Sequence, residues 1–163
     1  MGGNEGDVPT RQPVVANIQY GGDYKAHLEE AQRTRECIFC RPDFRDAQKV
    51  LFRYDSWFAR RNDYPTKDID GGLPLHHFLI VSDRCFWGIE EYRPADILAV
   101  WQLFRMLRQE FAIAGGGLVK RFDDPLFSGA TILHEHWHII VPRVIELTPD
   151  RKPQAHYVNF PIG

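Results

Sequence analysis

The stretch Ser128-Gly-Ala-Thr-Ile-Leu-His134-Glu-His136-Trp-His138-Ile-Ile-Val141 decides how the chain is interpreted. Trp, Ile and Val are typical of β-strands, and successive side chains of a strand point to opposite faces, so the three histidines should share one face. Imidazoles on one rigid ribbon can bind a metal ion or a phosphate, and one of them can act as a nucleophile. The plainer alternative is three surface histidines on an edge strand, but three of the seven histidines in the chain cluster here.

The composition is typical of one folded domain without a strongly charged surface. Hydrophobic residues make up 44% of the 163 residues, which is enough for a buried core. A net charge of −2 does not favour nucleic acid or an anionic membrane as a partner, so any anion site must be local. No apolar run approaches the roughly 18 residues of a membrane span, and no signal peptide is visible. We therefore expect a soluble, cytoplasmic protein with a mobile N-terminal arm over residues 1–22 and a single domain over residues 23–163.

Periodicity along the chain predicts an α+β fold with an antiparallel sheet of about five strands. A long helix is expected at residues 94–113, where apolar residues recur every three or four positions before a run of three glycines. Its apolar stripe should pack on one face of the sheet, and the histidines should occupy the other face. The other predicted elements are an exposed helix at 24–35, strands at 48–54, 56–61, 76–82 and 118–122, a strand through the triad, and a long loop at 62–75.

The three cysteines and the first histidine of the triad form a candidate metal site. Cys37 and Cys40 have the spacing Cys-x-x-C, which is typical of a metal-binding knuckle or of a redox pair. Cys85 follows a predicted central strand, and His134 begins the triad strand. Such a set forms a closed tetrahedral site without an open position for water, so the predicted zinc would be structural. The alternative is three unrelated cysteines, because free cysteine is commonly buried.

Three segments together carry a resemblance to a known family. His134-Glu-His136-Trp-His138-Ile-Ile is similar to the motif His-φ-His-φ-His-φ-φ, in which φ is apolar. Cys37-Ile-Phe-Cys40 is similar to the family's usual opening segment, and His77-Phe-Leu-Ile-Val81 to its central strand. In these segments the chain resembles the histidine-triad (HIT) family, in its histidine-triad nucleotide-binding branch with a zinc site. The resemblance implies an α+β meander that forms homodimers through the long helix and an edge strand.

The resemblance also implies a nucleotide hydrolase or nucleotidyl transferase that acts at the α-phosphate of a purine nucleotide conjugate. His136 would attack phosphorus and carry a transient nucleotidyl group, His138 would bind phosphate oxygens, and Thr131 would contact the phosphate or the leaving atom. The substrate-binding residues implied in the same way are Ile38, Phe39 and Phe160 at the base, Asn62 at the ribose, Gly129 at the phosphate, and Asp123 near it. The zinc ligands of zinc-bearing relatives correspond to Cys37, Cys40, Cys85 and His134.

Several positions depart from the family pattern. Glu135 stands where the motif has an apolar residue, and we expect it on an exposed or interfacial back face of the sheet. Ala130 stands where many members carry glutamine, which removes one donor to the phosphate. Asp123, where better-known members have Asn or Gln, is either a ligand or part of a solvated turn. His77 is expected to be structural, because a central strand buries it.

Two other functions stay open at this level. A catalytically weak nucleotide-binding or scaffolding protein would agree with the altered residues at positions 123 and 130. A metal-dependent hydrolase would instead hold a catalytic metal with all three triad histidines.

Overall fold

The computed structural model describes residues 23–68, 70–145, 154–155 and 158. The predicted N-terminal arm and the predicted base contact Phe160 lie outside these residues. The helices among the described residues are α1 (Asp23–Thr34), α2 (Pro94–Glu110) and α3 (Pro125–Ser128), with single 3-10 turns at Ile38–Cys40 and Ile89–Glu91. The strands are β1 (Val50–Tyr54), β2 (Trp57–Arg61), β3 (His76–Ser82), β4 (Gly117–Val119), β5 (His136–Val141), β6 (Val144–Ile145) and β7 (Gln154–Ala155).

Five of these strands form an antiparallel sheet in the order β1-β2-β3-β5-β4. The predicted α+β fold, with about five antiparallel strands and one long helix packed on the sheet, is therefore confirmed. β3 lies at the centre, and its pairing with β5 places Val81 opposite His136 and Leu79 opposite His138. β5 begins at His136, so His134 precedes the strand that it was predicted to begin.

Helix α2 covers one face of the sheet. Its side chains Ala99, Leu103 and Leu107 are fully buried against residues of β2, β3 and β5. Each fully buried leucine of this kind stabilises the fold by roughly 1.5–3 kcal/mol. The helix ends at Glu110, three residues earlier than predicted, and the glycines follow only after a short connection. No helix among the described residues is both long and apolar enough to cross a bilayer.

The start of α2 is fixed by one buried carboxylate. Asp96 caps the helix by accepting a hydrogen bond from the backbone N–H of Arg93 at 2.8 Å. The same carboxylate accepts the indole N–H of Trp57 at 2.8 Å and a guanidinium N–H of Arg84 at 2.7 Å. A helix N-terminus favours a negative charge, so Asp96 joins the helix start to β2 and to the segment after β3.

Helix α1 was predicted to be an exposed helix, and eight of its twelve residues are exposed, but it also packs on the opposite face of the sheet through two buried side chains. Leu28 and Ala31 are each only 1% exposed and join Phe39, Phe44 and Leu79 in a second apolar cluster. Two apolar residues three positions apart on a helix lie on the same side, which is enough to dock a short helix. This second cluster supports the face of the sheet that carries His136 and His138.

Candidate functional site

Three thiols and one imidazole meet at the end of β3, close to the start of β5. The ligand atoms of Cys37, Cys40, Cys85 and His134 all lie within 4.8 Å of one another. Nδ1 of His134 is 3.3 Å from Sγ of Cys37 and 3.6 Å from Sγ of Cys40. Around a tetrahedral zinc ion, sulfur and nitrogen ligands are about 3.6 Å apart. The predicted set is therefore a cluster that could bind a metal such as zinc.

His134 is held in the tautomer that a metal ligand needs. Its Nε2 lies 2.7 Å from the carbonyl oxygen of Ser82, and because a carbonyl only accepts, Nε2 must carry the hydrogen. The lone pair of the neutral ring is then on Nδ1, the atom that faces the thiols. The ring is fully buried, so this hydrogen bond is the kind of outer support that orients metal-binding histidines.

The four groups strongly perturb one another's protonation. The thiol of Cys37 and then the imidazole of His134 lower the pKa of Cys85 to about 4. The hydrogen bond to Cys85, together with burial, raises the pKa of Cys37. Burial lowers the pKa of His134, but hydrogen bonds to Cys40, Cys85 and Ser82 outweigh burial and raise it to about 9. Without a cation, a thiolate of Cys85 therefore lies beside a protonated His134, and a bound cation would replace the protons on Nδ1 of His134 and on Cys37.

His136 uses one ring nitrogen for the backbone and leaves the other for a cavity. Its Nδ1–H donates to the carbonyl oxygen of His134 at 2.6 Å. The side chain is 7% exposed, and burial lowers its pKa to about 3, with a further lowering from the charge of Lys120. The imidazole is therefore neutral at pH 7, with its lone pair on Nε2. A neutral, oriented imidazole of this kind is a competent nucleophile.

A chain of hydrogen bonds fixes the opposite tautomer in His138. The backbone N–H of Thr66 donates to Nδ1 of His77 at 3.0 Å, so the hydrogen of the His77 ring is on Nε2. That Nε2–H donates to Nδ1 of His138 at 2.9 Å, which leaves the hydrogen of His138 on its own Nε2. Burial lowers the pKa of His77 to about 4 and, with the neighbouring charges, holds that of His138 well below its usual value. His77 is thus the buried residue that was predicted, and it also orients a triad histidine.

A cavity of about 660 Å³ lies beside His136 and His138. The ring of Phe39 packs edge-on against that of His136, with 4.9 Å between the ring centroids. The predicted long loop contributes Tyr64 and Leu73 to the cavity wall. A concave site of this size, mostly apolar with a few polar groups, is typical of small-molecule binding.

Six of the predicted site residues are brought together in this cavity. The wall contains Ile38, Phe39, Asn62, Thr131, His136 and His138. Two others lie outside the wall. Gly129 follows α3 in a left-handed conformation with φ of 64°. Asp123 forms a turn, where its carbonyl oxygen accepts from Nε1 of Trp87 at 2.9 Å and Oδ1 accepts from the N–H of Ile89 at 3.2 Å. This position of Asp123 agrees with the turn alternative.

Glu135 is fully buried, so the prediction of an exposed or interfacial back face is wrong for this residue. One carboxylate oxygen lies 2.7 Å from Nζ of Lys120 and accepts the Tyr92 hydroxyl at 2.5 Å. The other oxygen accepts the backbone N–H of Gly88 at 3.0 Å. Lys120 is itself 10% exposed, and its ammonium group lies 4.7 Å from the centre of the Trp87 ring. A buried carboxylate needs such partners, and they come from segments that sequence periodicity does not place next to each other.

Two parts of the site were missed by sequence reasoning. Arg121 is buried in the cavity wall, whereas periodicity assigned it only to a strand. Tyr24 and His27 of α1 also line the cavity, and the ring of Tyr24 packs on that of Tyr64 with 4.4 Å between centroids. A basic residue late in a strand could have been noticed as a candidate anion ligand, but the docking of α1 depends on contacts between distant parts of the chain.

The three imidazoles do not converge on one point. Nδ1 of His134 faces the thiols, and its Nε2 is bound to Ser82, whereas His136 and His138 line the cavity. A catalytic metal held by all three histidines is therefore not supported by the geometry.

Neither a known family model nor any curated protein sequence matches the chain. Solved structures with the same fold do match. A histidine triad nucleotide-binding protein from Candida albicans has a TM-score of 0.52 at 12% identity, over 78% of this chain and 85% of the other. A hypothetical histidine triad nucleotide-binding protein from Sulfolobus tokodaii has a TM-score of 0.50 at 18% identity, over 76% of this chain and 81% of the other. At these identities the likeness shows that this chain has the histidine-triad fold.

Proposed function

We propose that the protein is a nucleotide hydrolase or nucleotidyl transferase that acts at the α-phosphate of a purine nucleotide conjugate. The conjugate is a phosphoramidate, an adenylate or a dinucleoside polyphosphate. The observation that carries the proposal is the pair of opposite tautomers in the cavity. His136 has its lone pair on Nε2, and His138 has its hydrogen on Nε2. A nucleophile therefore lies beside a hydrogen-bond donor, which is what attack on a phosphate requires.

In the proposed reaction, Nε2 of His136 forms a bond to the α-phosphorus, and the bond from phosphorus to the leaving group breaks. The attacking ring gains a positive charge, which its Nδ1–H bond to the carbonyl of His134 stabilises. Nε2–H of His138 binds a phosphate oxygen or the leaving atom, and Thr131 in the same wall donates its hydroxyl. Water then attacks phosphorus, releases the nucleotide and returns His136 to its neutral form.

The remaining proposed contacts follow the shape of the cavity. Ile38 and Phe39 are buried apolar residues of the wall and suit a purine base. Asn62 lies in the same wall, and its Oδ1 accepts the backbone N–H of Tyr64 at 3.0 Å, so its amide N–H groups suit the ribose hydroxyls. Phe160, Gly129 and Asp123 remain proposed substrate contacts on the resemblance alone.

We assign a structural role to zinc at Cys37, Cys40, Cys85 and His134. When bound, the ion would join the Cys-x-x-C segment to the ends of β3 and β5, without taking part in the reaction. Reduced thiols suit the cytoplasm, which we propose as the location. A homodimer through α2 is proposed as well, because Ile97, Leu98 and Trp101 of this helix are each about half exposed.

A weak nucleotide-binding or scaffolding protein is the second candidate. The observation that favours it is the position of Gly129 outside the cavity wall, where its N–H donates to the carbonyl oxygen of Pro125 at 2.9 Å, which leaves one backbone donor fewer for a bound phosphate. The two candidates differ in turnover and not in binding.

The test is to trap the covalent intermediate. The protein is mixed with an adenosine 5′-phosphoramidate or with diadenosine tetraphosphate, quenched, and analysed by peptide mass spectrometry. We expect adenylated His136, and we expect His136→Ala to lower turnover by at least about 1000-fold. His76→Ala is the matched control, because His76 lies outside the cavity wall. Nucleotide binding without a labelled peptide or product would reject the enzyme in favour of the second candidate.

A further inference from the structure

Arg121 brings a positive charge into the wall of the proposed active site. The side chain is 9% exposed and lines the same cavity as His136, His138 and Thr131. None of the roles assigned so far uses it.

The strand geometry explains why Arg121, and not its neighbour, faces the histidines. Val119 at the end of β4 pairs with His138, and directly paired residues of an antiparallel sheet have side chains on the same face. Side chains alternate along an extended chain, so position 121 returns to the histidine face and position 120 points to the other side. Lys120 indeed binds the buried Glu135, whereas Arg121 lines the cavity.

A backbone contact to an uncharged acceptor holds one arm of the guanidinium. Nη1 of Arg121 donates a hydrogen bond to the carbonyl oxygen of Gly129. Gly129 is held at the end of α3 in a left-handed conformation, which a glycine adopts without strain. The contact therefore fixes this arm of the guanidinium beside the segment that leads to Thr131.

The charge balance of the cavity favours an anion with more than one negative charge. The charged side chains that line it, in the described part of the chain, are Asp63, Lys67 and Arg121. The carboxylate of Asp63 is already bound by Arg60 at 2.6 Å. The lysine and the arginine are therefore the groups that give the cavity its positive potential.

We propose that Arg121 binds phosphate oxygens of the conjugate and makes the site selective for conjugates whose leaving group is itself anionic, such as the phosphate chain of a dinucleoside polyphosphate. This inference rests on the proposed function. When His136 attacks, the P–O bond to the leaving phosphate breaks and its electron pair stays on that oxygen, so negative charge grows on the leaving group. A guanidinium stabilises such a charge through two parallel hydrogen bonds. An amine leaving group takes up a proton as it departs and has less use for the cation.

The test compares two substrates in four proteins. kcat/KM is measured for diadenosine tetraphosphate and for an adenosine 5′-phosphoramidate, with the wild type, Arg121→Gln, Arg121→Lys and the control Arg33→Gln. Arg33 is an exposed residue of α1 outside the cavity wall. We expect Arg121→Gln to lower kcat/KM about 100-fold for the tetraphosphate and less than about 10-fold for the phosphoramidate. Arg121→Lys should keep part of the preference because it keeps the charge, and Arg33→Gln should change neither value. Equal losses for both substrates, or no loss for the tetraphosphate, would overturn the inference.

A binding measurement separates this inference from the proposed function. If the wild type turns over neither substrate, the proposed function fails, and dissociation constants for diadenosine tetraphosphate and AMP decide the role of Arg121. The inference stands if Arg121→Gln weakens binding of the tetraphosphate at least ten times more than binding of AMP, and it falls if both weaken equally. Should Arg121→Gln not fold, Arg121→Lys takes its place in both measurements, with an expected loss of about 5-fold for the tetraphosphate alone.

Discussion

The buried ion pair between Glu135 and Lys120 offers a quantitative test of the fold. Glu135 is fully buried, Lys120 is 10% exposed, and their charged atoms are 2.7 Å apart. Replacing Glu135 by Gln removes the negative charge and leaves an ammonium group in a low-dielectric environment, where burial already lowers the pKa of Lys120. Breaking a buried pair in this way costs about 3–5 kcal/mol.

The surrounding hydrogen bonds narrow this range. Glutamine keeps an oxygen that can accept the N–H of Gly88, so that hydrogen bond adds little to the loss. The hydroxyl of Tyr92 can still donate to an amide oxygen or accept from the amide nitrogen of the new side chain. We therefore expect Glu135→Gln to lower the free energy of unfolding by about 3 kcal/mol, close to the value for the charge alone.

The double variant isolates the interaction from other effects. Lys120→Met should cost about 3 kcal/mol, because it leaves the carboxylate buried without its cation. Glu135→Gln with Lys120→Met removes both charges, so it should cost at least about 2 kcal/mol less than the sum of the single changes. The assay is urea unfolding followed by far-UV circular dichroism at about pH 7.5, with zinc present throughout. Single changes that cost under about 1 kcal/mol, or effects additive to within about 0.5 kcal/mol, would refute the reasoning.

Three further predictions concern protonation, metal and packing. Burial lowers the pKa of His77 to about 4 in the folded protein, against an ordinary value of 6.5 for an exposed histidine. As the pH falls, the unfolded chain takes up the proton first, so the free energy of unfolding decreases between pH 6.5 and 4. His77→Gln should reduce that decrease by about 3 kcal/mol in urea unfolding at several pH values, and parallel pH curves for the variant and the wild type would contradict this. Purified protein should hold about one zinc ion per chain by elemental analysis, and either Cys85→Ser or chelation of the zinc should lower the melting temperature markedly. An unchanged melting temperature after complete removal of the zinc would speak against a structural ion. Trp57→Phe should cost about 1–3 kcal/mol because Asp96 loses a buried donor, and a cost under about 0.5 kcal/mol in thermal unfolding would show that the hydrogen bond contributes nothing.

The sheet and the positions of the histidines were predictable because they depend on local alternation. A period of two along β5 places His136 and His138 on one face, whatever the rest of the chain does. The buried side of α2 was predictable for the same reason. Its apolar residues recur every three or four positions, and this local spacing shows which side of the helix is buried, although it does not show which element packs against that side. The Cys-x-x-C spacing also carries its chemistry locally, and it directed attention to Cys85 and His134 as the remaining ligands.

Burial of charged residues was not predictable, because it depends on segments that are far apart in the sequence. Alternation placed Glu135 on the face opposite the triad, but the sequence does not show that Lys120 and Tyr92 would cover that face. For the same reason the packing of α1 against the histidine face was missed. A buried charge is stable only with its partners, so its environment can be predicted only after the partners have been placed.

One residue joins the candidate metal centre to the candidate nucleophile. The side chain of His134 turns its Nδ1 to the thiols, while its backbone carbonyl accepts the Nδ1–H of His136. The hydrogen bond to that carbonyl keeps the lone pair of His136 on Nε2. The hydrogen bond from Nε2 of His134 to the carbonyl oxygen of Ser82 keeps the ring of His134 in the tautomer that binds a cation. Any group that holds His134 in place therefore also holds the orientation of His136. It follows that a structural ion at the three thiols would act on the chemistry only through the position of a backbone oxygen, because no thiol of the cluster lies in the cavity wall.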